Sequence, residues 1–152
     1  MEMKGQKERR FTVRLQHLDK YRFQSQAGED GNDHGVPFVS DEPDPVGDAS
    51  GPATPSMLGA AIGHCLSASL LECLRRARIP VSKFEADVES VVQPNEDGLP
   101  RITEVLVHLQ PTISPDGNRH GRCADIFENY CTVSSSIKRG IAVNVDVDWQ
   151  LD

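Results

Sequence analysis

Thr54-Pro55-Ser56-Met57-Leu58-Gly59-Ala60-Ala61-Ile62-Gly63-His64-Cys65-Leu66-Ser67-Ala68-Ser69-Leu70-Leu71, running on as Glu72-Cys73-Leu74-Arg75-Arg76-Ala77-Arg78, decides the fold. Thr54 is placed to cap a helix and Pro55 to occupy its first position, where a fixed φ and a missing donor do no harm. The helix must stop before Pro80. Its first two-thirds are apolar or small on nearly every side, the pattern of a helix buried on most faces rather than of a surface helix with one stripe. Gly59, Gly63 and Ser67 recur every four residues as a ridge without bulk. Such a ridge lets a second helix approach closely, and Cys65 sits beside it. The stretch therefore predicts a central core helix that carries a thiol.

Alternation frames this helix. Phe11, Val13 and Leu15 face one way and Thr12, Arg14 and Gln16 the other, as in a half-buried strand. Asp19-Lys20 makes a turn, and Tyr21 to Gln26 alternates again with Arg22 on the face opposite Tyr21 and Phe23, which predicts a hairpin. Gly28 to Gly35 is acidic and glycine-rich and reads as a loop; Val36 to Val39 reads as a short strand. Ser40 to Pro52 is irregular by composition, a loop feeding the buried helix and thus a rim for a site. Beyond the helix, Lys83–Gln93 and Arg101–Gln110 alternate around the turn Asn95-Glu96-Asp97-Gly98, a second antiparallel pair.

After a turn at Pro115-Asp116-Gly117, a helix from about Asn118 to Tyr130 lines up Cys123, Ile126, Phe127, Tyr130 and Cys131 on one inward stripe. Ser134 to Arg139 forms a further turn ended by Gly140, and Ile141, Val143, Val145, Val147 and Trp149 make a final alternating strand. The order is α+β, with antiparallel sheets around a long central helix, in one domain over residues 1–152. That helix is too apolar all round to be satisfied by one sheet, which points to a symmetric dimer.

Composition narrows the function classes. With 26% charged and 38% hydrophobic residues and no apolar run near the ~18 residues of a membrane span, the chain reads as a cytoplasmic protein without a membrane segment. The N-terminus, Met1 to Arg10, lacks the apolar core of a signal peptide. A formal charge of −7 and 5% aromatics argue against nucleic acid as a partner. The cysteines Cys65, Cys73, Cys123 and Cys131 contain no CxxC and, in a reducing compartment, remain thiols unless one reacts. Cys73 and Cys123 match no motif and read as core thiols. No pair has metal-ligand spacing, so neither a metal nor a cofactor is expected.

Three pieces together resemble the OsmC/Ohr family of organic-hydroperoxide reductases. They are the loop Asp41-Glu42-Pro43-Asp44-Pro45-Val46-Gly47 leading to Gly51-Pro52; the helix opening Pro55-Ser56-Met57-Leu58 followed by Ala60-Ala61-Ile62-Gly63-His64-Cys65; and Tyr130-Cys131-Thr132-Val133-Ser134 with Ile137 and the last strand. The resemblance runs from about Tyr21 to Trp149, with two cysteines 66 residues apart in the matching contexts.

It implies an intertwined homodimer with two sites at the subunit interface. It also implies a peroxidatic Cys65, a resolving Cys131, and a peroxidase that reduces an organic hydroperoxide and is recycled by an external dithiol of the lipoyl type. An arginine from the early strands supports the thiolate in that family; Arg22 is the first choice here and Arg14 the second. Where the best-studied members carry a glutamate after the helix-opening proline, this chain has Ser56, and Pro55 to Cys65 is one residue shorter than usual. A substitute carboxylate would come from Glu42, Asp44 or Asp48. The alternative function is a redox-sensing or small-ligand-binding homodimer of the same fold that does not turn over. His64, adjacent to Cys65 and turned about 100° away on a helix, is a poor general base for that thiol.

Overall fold

The computed structural model describes residues 8–115 and 119–152, so the turn expected at Pro115-Asp116-Gly117, the helix start near Asn118 and most of the N-terminal segment lie outside the described residues. The first three strands, β1 (Phe11–His17), β2 (Phe23–Glu29) and β3 (Asn32–Ser40), form an antiparallel sheet in the order β1-β2-β3. The β1–β2 hairpin is as expected, with Leu15 opposite Ser25. The segment read as an acidic loop belongs instead to a second hairpin. Asp30 (φ 50°) and Gly31 (φ 81°) both take positive φ between β2 and β3, which is what a two-residue turn matched to strand twist requires and what an Asp-Gly pair supplies. Gly35, also at positive φ (71°), accompanies an irregular register between β2 and β3.

Helix α1 (Thr54–Arg76) is preceded by Ala53 in extended conformation, so Ala53 rather than Thr54 occupies the cap, and no side chain caps the start. It ends at Ala77; Arg78 then turns into positive φ (58°) and the Ile79 N–H returns to the Leu74 carbonyl at 2.9 Å. By length and composition α1 is apolar enough to cross a membrane, although polar residues interrupt its apolar run. In the fold its stripe Gly59, Ile62, Gly63, Leu66, Leu70 and Leu74 is core. Burial on nearly every face is not observed within one chain: Ala60, Ala61, His64, Ala68 and Leu71 stay exposed.

Strands β4 (Val81–Pro94) and β5 (Pro100–Ile113) pair along their whole length and extend past the expected limits. Asn95 caps their turn, its Oδ1 accepting from the Asp97 and Leu99 N–H groups at 3.0 and 2.9 Å. The small ridge of α1 meets this sheet, not another helix. A Cβ on Gly63 would lie 2.6 Å from Val88 Cγ2, and one on Gly59 would lie 3.0 Å from Ser90 Oγ. Ser90 Oγ in turn donates to the Pro55 carbonyl at 2.9 Å. Helix-to-sheet approach thus uses up Gly59 and Gly63, and the expected helix–helix contact through them is corrected.

The second long helix is shorter than its stripe suggested. It divides into α2 (His120–Ile126) and a tight 3-10 turn at Phe127–Tyr130, after which Cys131 caps α3 (Thr132–Arg139) by accepting the Ser134 N–H on its sulfur at 3.4 Å. Gly140, at φ 80°, ends α3. Two apolar clusters hold these pieces on α1. Leu70, Leu74, Ile79 and Cys123 gather with Phe84, Leu109 and Phe127; Ile62, Leu66 and Cys131 gather with Cys65, Val105, Val107 and Ile137.

Two further expectations fail within the chain. Ile141 to Trp149 forms no strand, because no neighbour offers it a ladder, and its apolar residues are bare, Val143 and Trp149 being 82% and 79% exposed. Cys73 and Cys123 are not separate core thiols but a disulfide joining α1 to α2.

The depth at which α1 sits is testable. Gly63→Val places two extra methyls against the β-branched Val88, and overpacking of this kind costs about 1–3 kcal/mol. Gly121 in α2 has open space around its Cβ position, so Gly121→Ala there gains up to about 1 kcal/mol of helix propensity. Chemical denaturation of both variants checks the pair of signs; equal stabilities would contradict the close approach.

Candidate functional site

Cys65, Ser69, Glu72 and Arg76 follow one another at i, i+4, i+7 and i+11 along α1 and therefore share a face. With Ala68 and Cys73 on the same helix, and Ile126, Tyr130 and Thr132 on the opposing wall, they line a cavity of about 450 Å³. This is within the range that takes a small organic molecule. Cys65 is half-buried at its floor and is a free thiol. Cys131, also free, is only 1% exposed. Cys65 packs against the buried cluster of Ile62, Leu66 and Cys131, which makes the two thiols neighbours.

Burial makes the two sulfurs unequal. Burial is the first cause that pushes the Cys131 thiol above its ordinary value, and the neighbouring Cys65 is the second; the Ser134 backbone N–H pulls the other way without reversing the shift. Cys131 thus holds its proton above the ordinary thiol range, while Cys65 is the member that faces the cavity. Sequence reasoning had no access to Glu72 and Arg76 as wall residues, although their spacing from Cys65 was the available signal. Arg75 and Arg76 are more than complements to the helix end, since both grip Glu72 at 2.8 Å. Arg75 first and Arg76 second hold the Glu72 carboxyl down at about 2.

Arg22 stands elsewhere. It lies just before β2, its guanidinium 3.5 Å from Asp19, and its Nε is buried with no hydrogen-bond partner among the described residues. It does not line the Cys65 cavity, nor do Arg14, Ser56, Glu42, Asp44 or Asp48. Asp48 is engaged by Lys20 at 2.9 Å. His64 opens onto a different groove with Ala60, Ser67 and Phe84, in line with its rotation away from Cys65. A further cavity of about 460 Å³ between α1, β5 and α3 has no cysteine in its lining.

The loop before α1 is built around Asp41, a residue whose organising role went unread. Asp41 is 3% exposed. Its carboxylate accepts from the N–H groups of Glu42 (2.8 Å), Asp48 (3.2 Å) and Ser50 (3.1 Å) and from Ser50 Oγ (2.7 Å). The Ser50 hydroxyl is the first cause, ahead of the backbone donors, that holds this carboxyl at about 2 against an ordinary 3.8. The Asp41 N–H donates to the Pro52 carbonyl at 3.3 Å, which ties the loop to the start of α1.

A model of the OsmC-like protein family matches residues 47–146. The chain belongs to that family. No curated protein matches it in sequence. Among solved structures, an OsmC-like protein of unknown function from Vibrio cholerae superposes with a TM-score of 0.64 at 16% identity, covering 85% of this chain and 92% of that one. An OsmC-like protein from Mycoplasma pneumoniae gives 0.65 at 16% identity, over 88% and 89%. An organic hydroperoxide resistance protein OsmC from Legionella pneumophila gives 0.61 at 12% identity, over 85% and 89%. At these identities the structures establish the shared fold of this OsmC-like chain.

Because the Asp41 carboxyl lies lower folded than unfolded, its contribution is fully present above about 3.8 and is lost as pH falls through about 2. Hydrogen exchange across residues 41–50 is expected to speed up over that window ahead of the β4–β5 ladder, and Asp41→Asn to remove the pH step. Unchanged protection of the loop down to pH 2 would contradict its dependence on this carboxylate.

Proposed function

We propose that the chain is a thiol-dependent peroxidase for organic hydroperoxides, with Cys65 the reacting and Cys131 the resolving thiol. The observation that supports this is the contact between two free cysteines of unequal exposure, one opening on a cavity and one sealed behind it. In the reaction, the Cys65 thiolate attacks the distal peroxide oxygen, the O–O bond breaks, and the alkoxide leaves as an alcohol after taking a proton. Cys65 is then a sulfenic acid. Attack by Cys131 expels water and forms the disulfide, and an external dithiol, lipoyl-type by family resemblance, returns both thiols. Since Cys131 is held protonated above the ordinary thiol value, closure of the disulfide accelerates as pH rises into the alkaline range.

The active unit in this reading is a cytoplasmic homodimer of a single OsmC-like domain. Its support is the apolar surface one copy leaves bare: Phe11, Val13 and Leu15 on β1, Leu71 on α1, and the alternating tail from Ile141 to Trp149. Covering the five tail side chains is worth about 1.5–3 kcal/mol each, comparable with the roughly 4–15 kcal/mol that association costs. In this reading a second copy gives the orphaned Nε of Arg22 its acceptor and brings that guanidinium to the Cys65 thiolate, because Arg76, the cation that lines the cavity among the described residues, is held by Glu72.

Purified protein with an alkyl hydroperoxide and dihydrolipoamide is expected to consume peroxide, Cys65→Ser to abolish this, and Arg22→Ala to slow it about 10²-fold while sedimentation still shows twice the chain mass. No consumption above the Cys65→Ser control would overturn the peroxidase. A single stoichiometric Cys65–Cys131 oxidation without recycling would favour the sensing alternative, to which the exposed Ser56 in place of a glutamate lends support.

A further inference from the structure

The cavity of Cys65 has a second sulfur in its wall. Cys73 lines it two turns farther along α1, and Cys73 is not free but bonded to Cys123 of α2. We infer that Cys73 and Cys123 are a second thiol–disulfide couple, opened by a small dithiol that enters through the Cys65 cavity, with Cys73 the sulfur that is attacked.

Three observations carry this. The bond has one accessible end and one sealed end: Cys73 is half-buried at the cavity wall, whereas Cys123 is 2% exposed. A nucleophile arriving by the cavity reaches only Cys73. Next, opening the bond leaves both thiols in surroundings that suit them, because Cys123 packs with Leu70, Leu74 and Ile79, and Cys73, Phe84 and Phe127 close the same cluster. A neutral thiol behaves there as a small apolar group, so neither helix loses its packing. Finally, α2 keeps a separate tether in the Arg119 guanidinium, which donates to the Ala77 carbonyl at 3.2 Å.

The chemistry balances without a further reactant. One thiolate of the dithiol bonds to Cys73 Sγ as the Cys73–Cys123 bond breaks, and Cys123 leaves as a thiolate that takes up a proton. The second thiol of the reductant then displaces Cys73, so the dithiol ends as a cyclic disulfide and two electrons and two protons reside on Cys73 and Cys123. Eight residues of helix separate Cys65 from Cys73 by about 12 Å of rise, too far for one sulfur to attack the other. Electrons pass between the two couples only through a soluble dithiol in the shared cavity. The protein then stores two electron pairs where one was expected.

The inference uses the cavity of the peroxidase reading but not its peroxide step, and its test removes that step. The Cys65→Ser/Cys131→Ser protein is reduced with dihydrolipoamide while native, freed of the dithiol, alkylated in denaturant so that both sulfurs are reached, and weighed intact. Two alkyl groups on Cys73 and Cys123, with unchanged circular dichroism and loss of both groups from a sample first returned to oxidised lipoamide, are expected. Alkylation that appears only when the dithiol itself is added in denaturant would overturn the proposal by making the bond a sealed staple.

Adding Cys123→Ser or Cys73→Ser to that background isolates each sulfur in turn. Cys73 is expected to react with an aromatic disulfide at least tenfold faster than Cys123, and equal or reversed rates would overturn the assigned end of attack. A failed hydroperoxide assay leaves these results standing, and the converse also holds.

Discussion

The close approach of α1 to β4 is the constraint on which the rest of the structure depends. Val88 fills the space that side chains at Gly59 and Gly63 would occupy, so the helix lies deep against the β4–β5 sheet and its stripe from Ile62 to Leu74 becomes core. With that flank committed, the remaining flank of α1 receives α2, the 3-10 turn and α3, and the second apolar cluster forms around Leu66 and Cys131. The position of Cys131 against Cys65 is a consequence of this docking. Neither sulfur is placed by its own hydrogen bonds alone; the cap that Cys131 makes to Ser134 orients a residue which packing has already delivered.

Polarity is distributed around this apolar centre in separate units. Asp41 gathers four donors and fixes the loop before α1, and Glu72 gathers two arginines at the far end of the cavity. Both carboxylates are thereby satisfied within their own neighbourhoods, and neither turns a charge toward Cys65. Among the described residues the buried donor without a partner is Arg22 Nε, just before β2 of a three-stranded sheet that hardly touches the helical half of the same chain. The separation of the two halves and the bare apolar tail are the observations that support the proposed homodimer.

Much of the architecture was legible because it rests on periodicity and on turn chemistry. The alternations of Phe11 to Leu15 and of Phe84 to Val92, the Asn95–Gly98 turn and the Gly140 stop all appear where their residues place them. What failed did so for identifiable reasons. Asp30-Gly31 was absorbed into an acidic run, and the hairpin it forms went unseen. The Gly59–Gly63 ridge correctly signalled a close approach, but small residues do not say whether a helix or a strand does the approaching. The last strand had the right alternation and no partner in the chain, since a pattern records which face is apolar and not whose ladder it joins.

At the site, the contact of Cys65 with Cys131 was anticipated through family resemblance, whereas the pairing of Cys73 with Cys123 was not. Equal spacing along both segments, eight residues each, admits that pairing but does not select it. Glu72 and Arg76 were legible in principle from their helical offset to Cys65, and Asp41 was hidden because its partners are mostly backbone.

The account stands on the claim that Cys65 and Cys131 act as one redox pair. One equivalent of an alkyl hydroperoxide added to the otherwise untreated protein, followed by intact mass and peptide mapping, reads this directly. The account predicts a loss of two hydrogens located in a new Cys65–Cys131 bond, beside the existing Cys73–Cys123 bond. An added oxygen that stays on Cys65, or no change in mass at either residue, would contradict it.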